Sequence, residues 1–314
     1  MAGLKQIKTK IVAMKKSQTV TKAMKAVSAA KMRKAQTTAL RGRAYARAAA
    51  SVLSRISGSQ EITQHPLSAV RPVEHALYIV ITSDKGLAGA LNSGVLKAAV
   101  RDIKESRLLP ENISIIAVGR KAQDFFVGMS ARLPAGRQGF KIEVFHSNTS
   151  SVDSALVRAI VDEAAARFSA GAFDCVKIVY QNFVSTFEQR PTLRSVFPLS
   201  VEDLRAVVGD ILPTKGAFSG NSELLDSPQT YTLEPSYTEV LNAILPMLAS
   251  VIVYHALLES GASEHSARMV AMKSASDKAA EMQEELTLQF NKARQAAITR
   301  EVSEITGGME AMAN

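Results

Sequence analysis

Residues 4–56 contain no Pro and one interior Gly, Gly42, and their apolar residues recur at helical spacing. Leu4, Ile7, Ile11 and Met14 fall at 3-4-3 on one face. The stripe is expected to shift and resume at Val20, Met24 and Val27, with Ala26, Ala29 and Ala30 beside it. The pattern predicts one helix of about 50 residues, roughly 75 Å long at 1.5 Å per residue. No compact domain is that wide, so such a helix must lie against another long element. The far end of the chain supplies one. From Pro235 to about Ile305 the helical signal returns, and Pro246 is expected to kink the helix or mark its first true turn. Met272, Ala275, Ala279, Met282, Leu286, Phe290, Ala293 and Ala297 follow at 3-4-3-4-4-3-4. Their mean spacing is close to the natural helix period, which predicts a nearly straight shaft. Gly307-Gly308 is expected to end it. Only each other's length can cover the two stripes, so the termini are expected to form an antiparallel coiled coil.

Charge sharpens the picture. The first sixty residues hold fourteen Lys and Arg and no acid; Glu61 is the first. The chain carries +9 overall, so these residues contribute +14 and the other 254 contribute −5. The basic character is local, which argues against a generic polyanion binder. A merely solvated helix mixes signs for i,i+4 support, so fourteen like charges imply a compensating partner. Nucleic acid, a membrane surface, an import signal and an acidic protein are the candidates. An import peptide shares this composition but lacks so long an apolar stripe. Aromatic residues are nearly absent from the segment apart from Tyr45, which weakens a single-stranded nucleic-acid reading.

Between the long helices the periodicity changes. The runs 76–82, 113–119, 140–146, 174–183 and 192–199 read as strands, the last two as a hairpin. Helices are expected near 93–107, through Phe125 and Phe126, and over 152–169. Alternating strands and helices predict a partly parallel sheet with an antiparallel edge. The fold class is therefore α/β plus a long antiparallel coiled coil, with a central Rossmann-like α/β domain inserted between two long terminal helices. The expected boundaries are 1–57 for the first helix, 73–204 for the α/β domain, 205–235 for a linker and 236–308 for the last helix. The linker is rich in Gly, Pro, Ser and Thr and ends in a possible short strand, "TYTLEP".

Residues carrying chemistry are sparse. The loop "SDKGLAGALN", 83–92, follows a strand and opens a helix, where phosphate sites often sit. It matches neither G-x-G-x-x-G nor G-x-x-x-x-G-K-[ST], and a tight turn explains its glycines. The five His residues have no metal-ligand spacing, no nucleophile-base set stands out, and the lone Cys175 reads as a buried thiol. No catalytic, cofactor or metal residue is expected. Val240 to Leu258 has no charged residue, but it contains Asn242, Pro246, Ser250 and His255 and is flanked by Glu239 and Glu259. It reads as a buried helix in a protein bundle and not as a membrane span.

Several blocks resemble one family. "VTKAMKAVSAAKMRKAQ", "SDKGLAGALNSGVLK", "LLESGASEHSARMVAMKSASDKA" and "NKARQAAITREVSEITGG" are similar, in order and across the chain, to the gamma subunit of F-type ATP synthases. The resemblance implies a rotor. Its coiled coil turns inside a hexameric ring of α and β subunits, while the α/β domain meets the epsilon subunit and the membrane ring of c subunits. It further implies ATP made from ADP and phosphate at β, coupled to proton flow, with no active site or cofactor in this chain. The location implied is peripheral, at the cytoplasmic face of a bacterial plasma membrane, with no transmembrane span and no nucleic acid. Coupling positions carried over by the match are Met24, near an acidic loop of β, and Arg268, Gln295, Thr299 and Glu301 on the last helix. Lys22, Lys25, Arg33 and Lys34 join them by charge as partners for acidic β loops. Departures are a longer connection at 129–140, read as a surface loop, and Gly261 where Ala is more usual. A nucleic-acid-binding coiled coil and a nucleotide-using α/β enzyme are the alternative classes.

Overall fold

The computed structural model describes residues 2–56, 65–132, 139–147, 152–200 and 236–313. The expected linker with its "TYTLEP" strand and the middle of the 129–140 connection lie outside the described residues. The elements in order are α1 (Ala2–Ile56), β1 (Ala76–Ile81), α2 (Leu91–Ser106), β2 (Ile113–Val118), α3 (Arg120–Ser130), β3 (Lys141–His146), α4 (Ser154–Ser169), β4 (Cys175–Phe183), β5 (Gln189–Phe197) and α5 (Tyr237–Ala313). Contacts divide the chain into two compact units, one of α1 before Ala30 with α5 after Ala267, the other Ala30–Ala267.

The second unit holds one sheet of order β3-β2-β1-β4-β5. β1 pairs in parallel with β2 and β4, β2 with β3, and β5 closes the edge antiparallel to β4. Each parallel step needs a crossover, which the intervening helices provide. β1 and β2 are buried at every residue, as their unbroken apolar runs require of strands covered on both faces. Tyr78 and Val80 face a cluster with Val95, Ala99 and Ile103 of α2 and Phe126 of α3. Leu77, Ile79 and Ile81 face Ile160, Ala164 and Phe168 of α4. The start of α5, including Leu241, Leu245, Leu248, Ile252 and Ala256, joins that second cluster. The apolar Val240–Leu258 run is thus largely buried, as expected, against the sheet and beside α4. Among the described residues α5 is the one helix long and apolar enough by length and composition to cross a membrane, and 56% of its most apolar window is buried inside the protein.

α5 runs unbroken for 77 residues with Pro246 inside it. The expected stop at Gly307-Gly308 does not occur. A glycine weakens a helix by about 1 kcal/mol but does not forbid it. Gly261 is likewise helical, and a Cβ added there meets no atom within 4 Å. Gly261→Ala is expected to raise unfolding free energy by about 0.5–1 kcal/mol, through lost unfolded-state entropy. Urea titration of the two proteins checks this.

Candidate functional site on the paired helices

In the first unit α1 leads out at Ala29 and α5 enters at Arg268, so the two helices run antiparallel. Each shields one stripe. On α5 the buried or half-buried line from the first full turn onward is Met272, Ser276, Ala279, Gln283, Leu286, Phe290, Ala293 and Ala297, with Ala280 beside it. On α1 it is Leu4, Ile7, Ile11, Met14, Gln18, Thr21, Met24 and Ser28, with Ala29 beside it. Eight positions stand on each helix. The α5 line is 4-3-4-3-4-3-4, a strict seven-residue repeat and the spacing of a left-handed coiled coil.

Two sequence expectations are corrected here. Ala275 is exposed and Met282 is 40% exposed, their places being taken by Ser276 and Gln283. The 3-4-4 irregularity, and the straight shaft inferred from it, came from selecting apolar neighbours of polar inward positions. On α1 the stripe does not shift. Val20 and Val27 are both 57% exposed, Ala26 and Ala30 are exposed, and the inward line stays in phase through Gln18, Thr21 and Ser28. Small or polar residues fill the part of the seam toward Met272, and Met24 and Met272, long and unbranched, fill gaps there.

The outer surfaces of the two helices differ. On α1, Lys5, Lys8, Lys10, Lys15, Lys16, Lys22, Lys25, Lys31, Arg33 and Lys34 are all exposed. Among the described residues none of them makes an ion pair. On α5 the exposed charges mix: Lys273, Lys278, Lys292, Arg294 and Arg300 stand among Asp277, Glu281, Glu284, Glu285, Glu301 and Glu304. Lys278 pairs with Glu281 at 2.9 Å. The ten residues Lys5 to Lys34 remain on the wet surface without an ion pair among the described residues.

The sequence-selected positions fall into two groups. Met24 is half-buried in the seam between the exposed Lys22 and Lys25, and Arg268 is half-buried. Gln295, Thr299 and Glu301 are exposed, about 40 Å farther along α5 than Arg268. Past Ala297 the α5 residues through Met309 are all exposed, and Ile298, Val302, Ile305 and Met309 repeat at 4-3-4 without cover from this chain. Thr299 and Glu301 therefore sit on a single unpaired helix.

Sequence reasoning missed a buried polar row farther back on α5. Glu259, Ser263 and Ser266 stand at i, i+4 and i+7, on one face. Ser263 Oγ donates to the carbonyl of Gln181 on β4 at 3.1 Å, and Ser266 Oγ to that of Thr186, in the β4–β5 turn, at 2.6 Å. Arg194 Nε of β5 donates to the Tyr180 hydroxyl at 2.9 Å, and the Glu259 carboxyl lies beside that hydroxyl. Glu259 Oε2 has no hydrogen-bond partner. Burial therefore raises the carboxyl to about 7, against the pull of Arg194 and the Tyr180 hydroxyl. Tyr180 is raised too, by burial and by the neighbouring Glu259. The i, i+4, i+7 spacing of polar residues in an otherwise apolar helix was the available signal.

The 83–92 loop uses its polar groups internally. Ser83 N and Oγ both meet Asn92 Oδ1, Arg120 N donates to Asp84 Oδ1, and Ser147 Oγ donates to Asp84 Oδ2. Gly89 has φ +58, the left-handed conformation that favours glycine. Gly119, at φ +97, lies so near Thr82 that an added Cβ would strike its carbonyl. The loop ties the ends of β1, β2 and β3 together. Among the described residues no group of three His, Cys, Asp or Glu is placed to hold a metal.

These features define a class of protein: two terminal helices pair with each other while a Rossmann-like α/β domain is inserted between them in sequence. The family described as ATP synthase matches residues 3–312. The chain is 36% identical to the ATP synthase gamma chain of Staphylococcus saprophyticus over 99% of its length and 100% of the relative's. It is 38% identical to that of Heliobacterium modesticaldum, again over 99% and 100%. Its fold resembles a chain in the Euglena gracilis mitochondrial ATP synthase in rotational state 3, with TM-score 0.64 and 20% identity over 99% of this chain and 95% of that one. A chain of the Tetrahymena thermophila ATP synthase central stalk and c-ring gives TM-score 0.58 at 24% identity, over 82% and 99%. The chain belongs to the ATP synthase gamma-chain family.

Glu259 generates a pH prediction. Below its ordinary value of 4.5 both the folded and unfolded states hold the proton; between 4.5 and about 7 the unfolded chain releases it and the folded one keeps it. Stability from this group therefore falls as pH rises through that window, by roughly 3 kcal/mol when complete. Gln keeps an oxygen for Tyr180 and cannot ionise. The stability of Glu259→Gln relative to the parent is expected to increase from pH 5 to pH 8 in urea titrations at each pH.

Proposed function

We infer that the chain is the central-stalk rotor subunit of an F-type ATP synthase, a membrane-associated rotary machine. The observation that carries the mechanism is the asymmetry of the helix pair. One side is purely cationic over ten exposed Lys and Arg, and the other is mixed in sign. A uniform rod would present the same face to every catalytic subunit in a surrounding ring. This one presents a different electrostatic face to each, and turning it moves those faces in sequence. A face that binds one β conformation better than another shifts that subunit's population by the difference in binding free energy. Rotation driven by proton flow through the c ring would thus cycle the β sites through release of ATP and uptake of ADP and phosphate.

In this reading ATP chemistry belongs to the β subunits, and this chain contributes no catalytic group. The α and β subunits surround the helix pair, and the α/β domain meets the epsilon subunit and c ring. Full-length likeness to bacterial gamma chains supports a place at the cytoplasmic face of the plasma membrane. Lys22, Lys25, Arg33 and Lys34 attract acidic β loops; their exposure and lack of ion pairs support this. Met24 fills the seam at the same level, and Arg268, Gln295, Thr299 and Glu301 are coupling contacts on α5. Many weak, exposed attractions suit a shaft that must pass successive subunits, since exposed pairs contribute only about 0–1 kcal/mol each and exchange readily.

Co-purification with α and β subunits followed by ATPase assay tests the assignment: a stoichiometric complex with cooperative hydrolysis is expected, and failure to assemble refutes it. Replacing Lys22, Lys25, Arg33 and Lys34 together by Gln is expected to lower ATP-driven proton pumping several-fold. The melting temperature of the isolated chain should stay within about 2 °C, because exposed charges contribute little to folding. Unchanged pumping at physiological salt would remove these four residues from the coupling surface.

A further inference from the structure

A shaft that transmits torque must not turn about its own axis within the domain that drives it. The beginning of α5 has a directional tie, the 2.9 Å bond between Asn242 Oδ1 and His65 Nε2, but most of what it buries is apolar. Between Leu241 and Leu258 apolar residues are buried on several faces, among them Leu248, Ala249, Val251, Ile252 and Val253. Apolar packing is non-directional, so another apolar face could take the same place after a small rotation. The polar row that follows is different. Glu259, Ser263 and Ser266 meet, in that order, Tyr180, the Gln181 carbonyl and the Thr186 carbonyl. Hydrogen bonds weaken steeply when misaligned, and the two serine bonds at successive heights on one helix face, with the Glu259 carboxyl beside Tyr180 one turn before them, cannot survive an axial turn together.

The two serines also break a habit of this chain. Thr9, Thr19, Thr37, Thr38, Ser250, Thr287 and Thr306 each bond a carbonyl one turn back in their own helix. Ser263 and Ser266, both fully buried, instead reach across to the hairpin. Burial of a hydroxyl demands some partner, but the near carbonyl would have served. Arg194 on the second strand completes the joint by bonding Tyr180, so both strands of the β4–β5 hairpin are engaged.

We propose that Glu259, Ser263 and Ser266 key α5 to the β4–β5 hairpin against rotation about the helix axis, and so are the positioning residues through which torque passes between the α/β domain and the shaft. The proposal rests on the rotor reading. Loss of the key leaves the ring free to hydrolyse ATP while the shaft slips in its seat, so hydrolysis and pumping separate. A merely structural role would lower both together, through assembly.

The test uses the whole synthase reconstituted into lipid vesicles, with ATP hydrolysis and lumen acidification measured on the same preparation. For Ser263→Ala with Ser266→Ala, ATPase activity within twofold of the parent and at least a threefold fall in protons pumped per ATP are expected. An unchanged pumping ratio in the assembled variant overturns the proposal. Should the double variant not assemble, Tyr180→Phe removes the hydroxyl that bonds Arg194 and lies beside Glu259, with the ring retained. It should give the same separation in smaller degree, and a parental ratio overturns the proposal there as well. A parent chain that does not assemble with α and β subunits overturns the rotor reading itself, an outcome visible before any variant is made.

Discussion

α5 has to be two kinds of helix at once, and the rest of the molecule follows from how it manages this. Near its start it is a core element, apolar on several faces and pressed on a sheet beside α4. Past Arg268 it is half of a two-helix seam, shielded on one line only. No break in the backbone separates the two regimes. The change of environment is written in side chains: Leu, Ile and Val give way to Ser and Gly between Leu258 and Ser266, and then to a seven-residue repeat. A continuous helix has the stiffness that hydrogen-bonded backbone provides, so whatever grips one end acts on the other.

The seam itself is weak by the standards of a coiled coil built for stability. Gln18 and Gln283 are half-buried on the two inward lines, and Thr, Ser and Ala fill much of the part toward Met272. Polar inward residues cost stability but specify register. The large apolar residues of the two lines are Leu4, Ile7, Ile11 and Met14 on α1 and Leu286 and Phe290 on α5, with Met24 and Met272 farther along. This division leaves the cationic exterior of α1 to be neutralised from outside the chain. The α/β domain has the opposite character, with partly shielded ion pairs and internally satisfied loops. Glu143 is held by Ser114, Lys141 and Arg167, and Asp102 by Tyr78 and Lys177. One part is finished as folded and the other is complete only when something surrounds it.

Much of this was legible in the residues. The unbroken helical runs, the alternation of strands and helices between them, and the antiparallel edge strand could be read from periodicity and the placement of Gly and Pro. The family blocks run from "VTKAM" to "EITGG" and leave little doubt of kinship. Errors arose wherever position was inferred from polarity. Val20 and Val27 were assigned inward because they are apolar, yet a neighbouring subunit is as good a home for an apolar side chain as the seam. Ser276 and Gln283 were passed over because they are polar. The Glu259 row went unread because its partners, Tyr180, Gln181, Thr186 and Arg194, lie some 65–80 residues away in sequence.

The sequence alone determined that two long helices exist, that one is cationic without relief, that an α/β domain interrupts them, and to which family the chain belongs. Each of these depends on local spacing or composition, which a linear string records directly. Only the tertiary structure decided which line of each helix turns inward and where the shaft is held. Both depend on the angular phase of a helix relative to a partner. Polarity alone does not say which residues turn inward, since Ser276 and Gln283 do so while Val20 and Val27 do not, so the choice is made by the packing of the whole seam. The seat of α5 is set the same way, by hydroxyl and carbonyl groups that become neighbours only after the hairpin has folded.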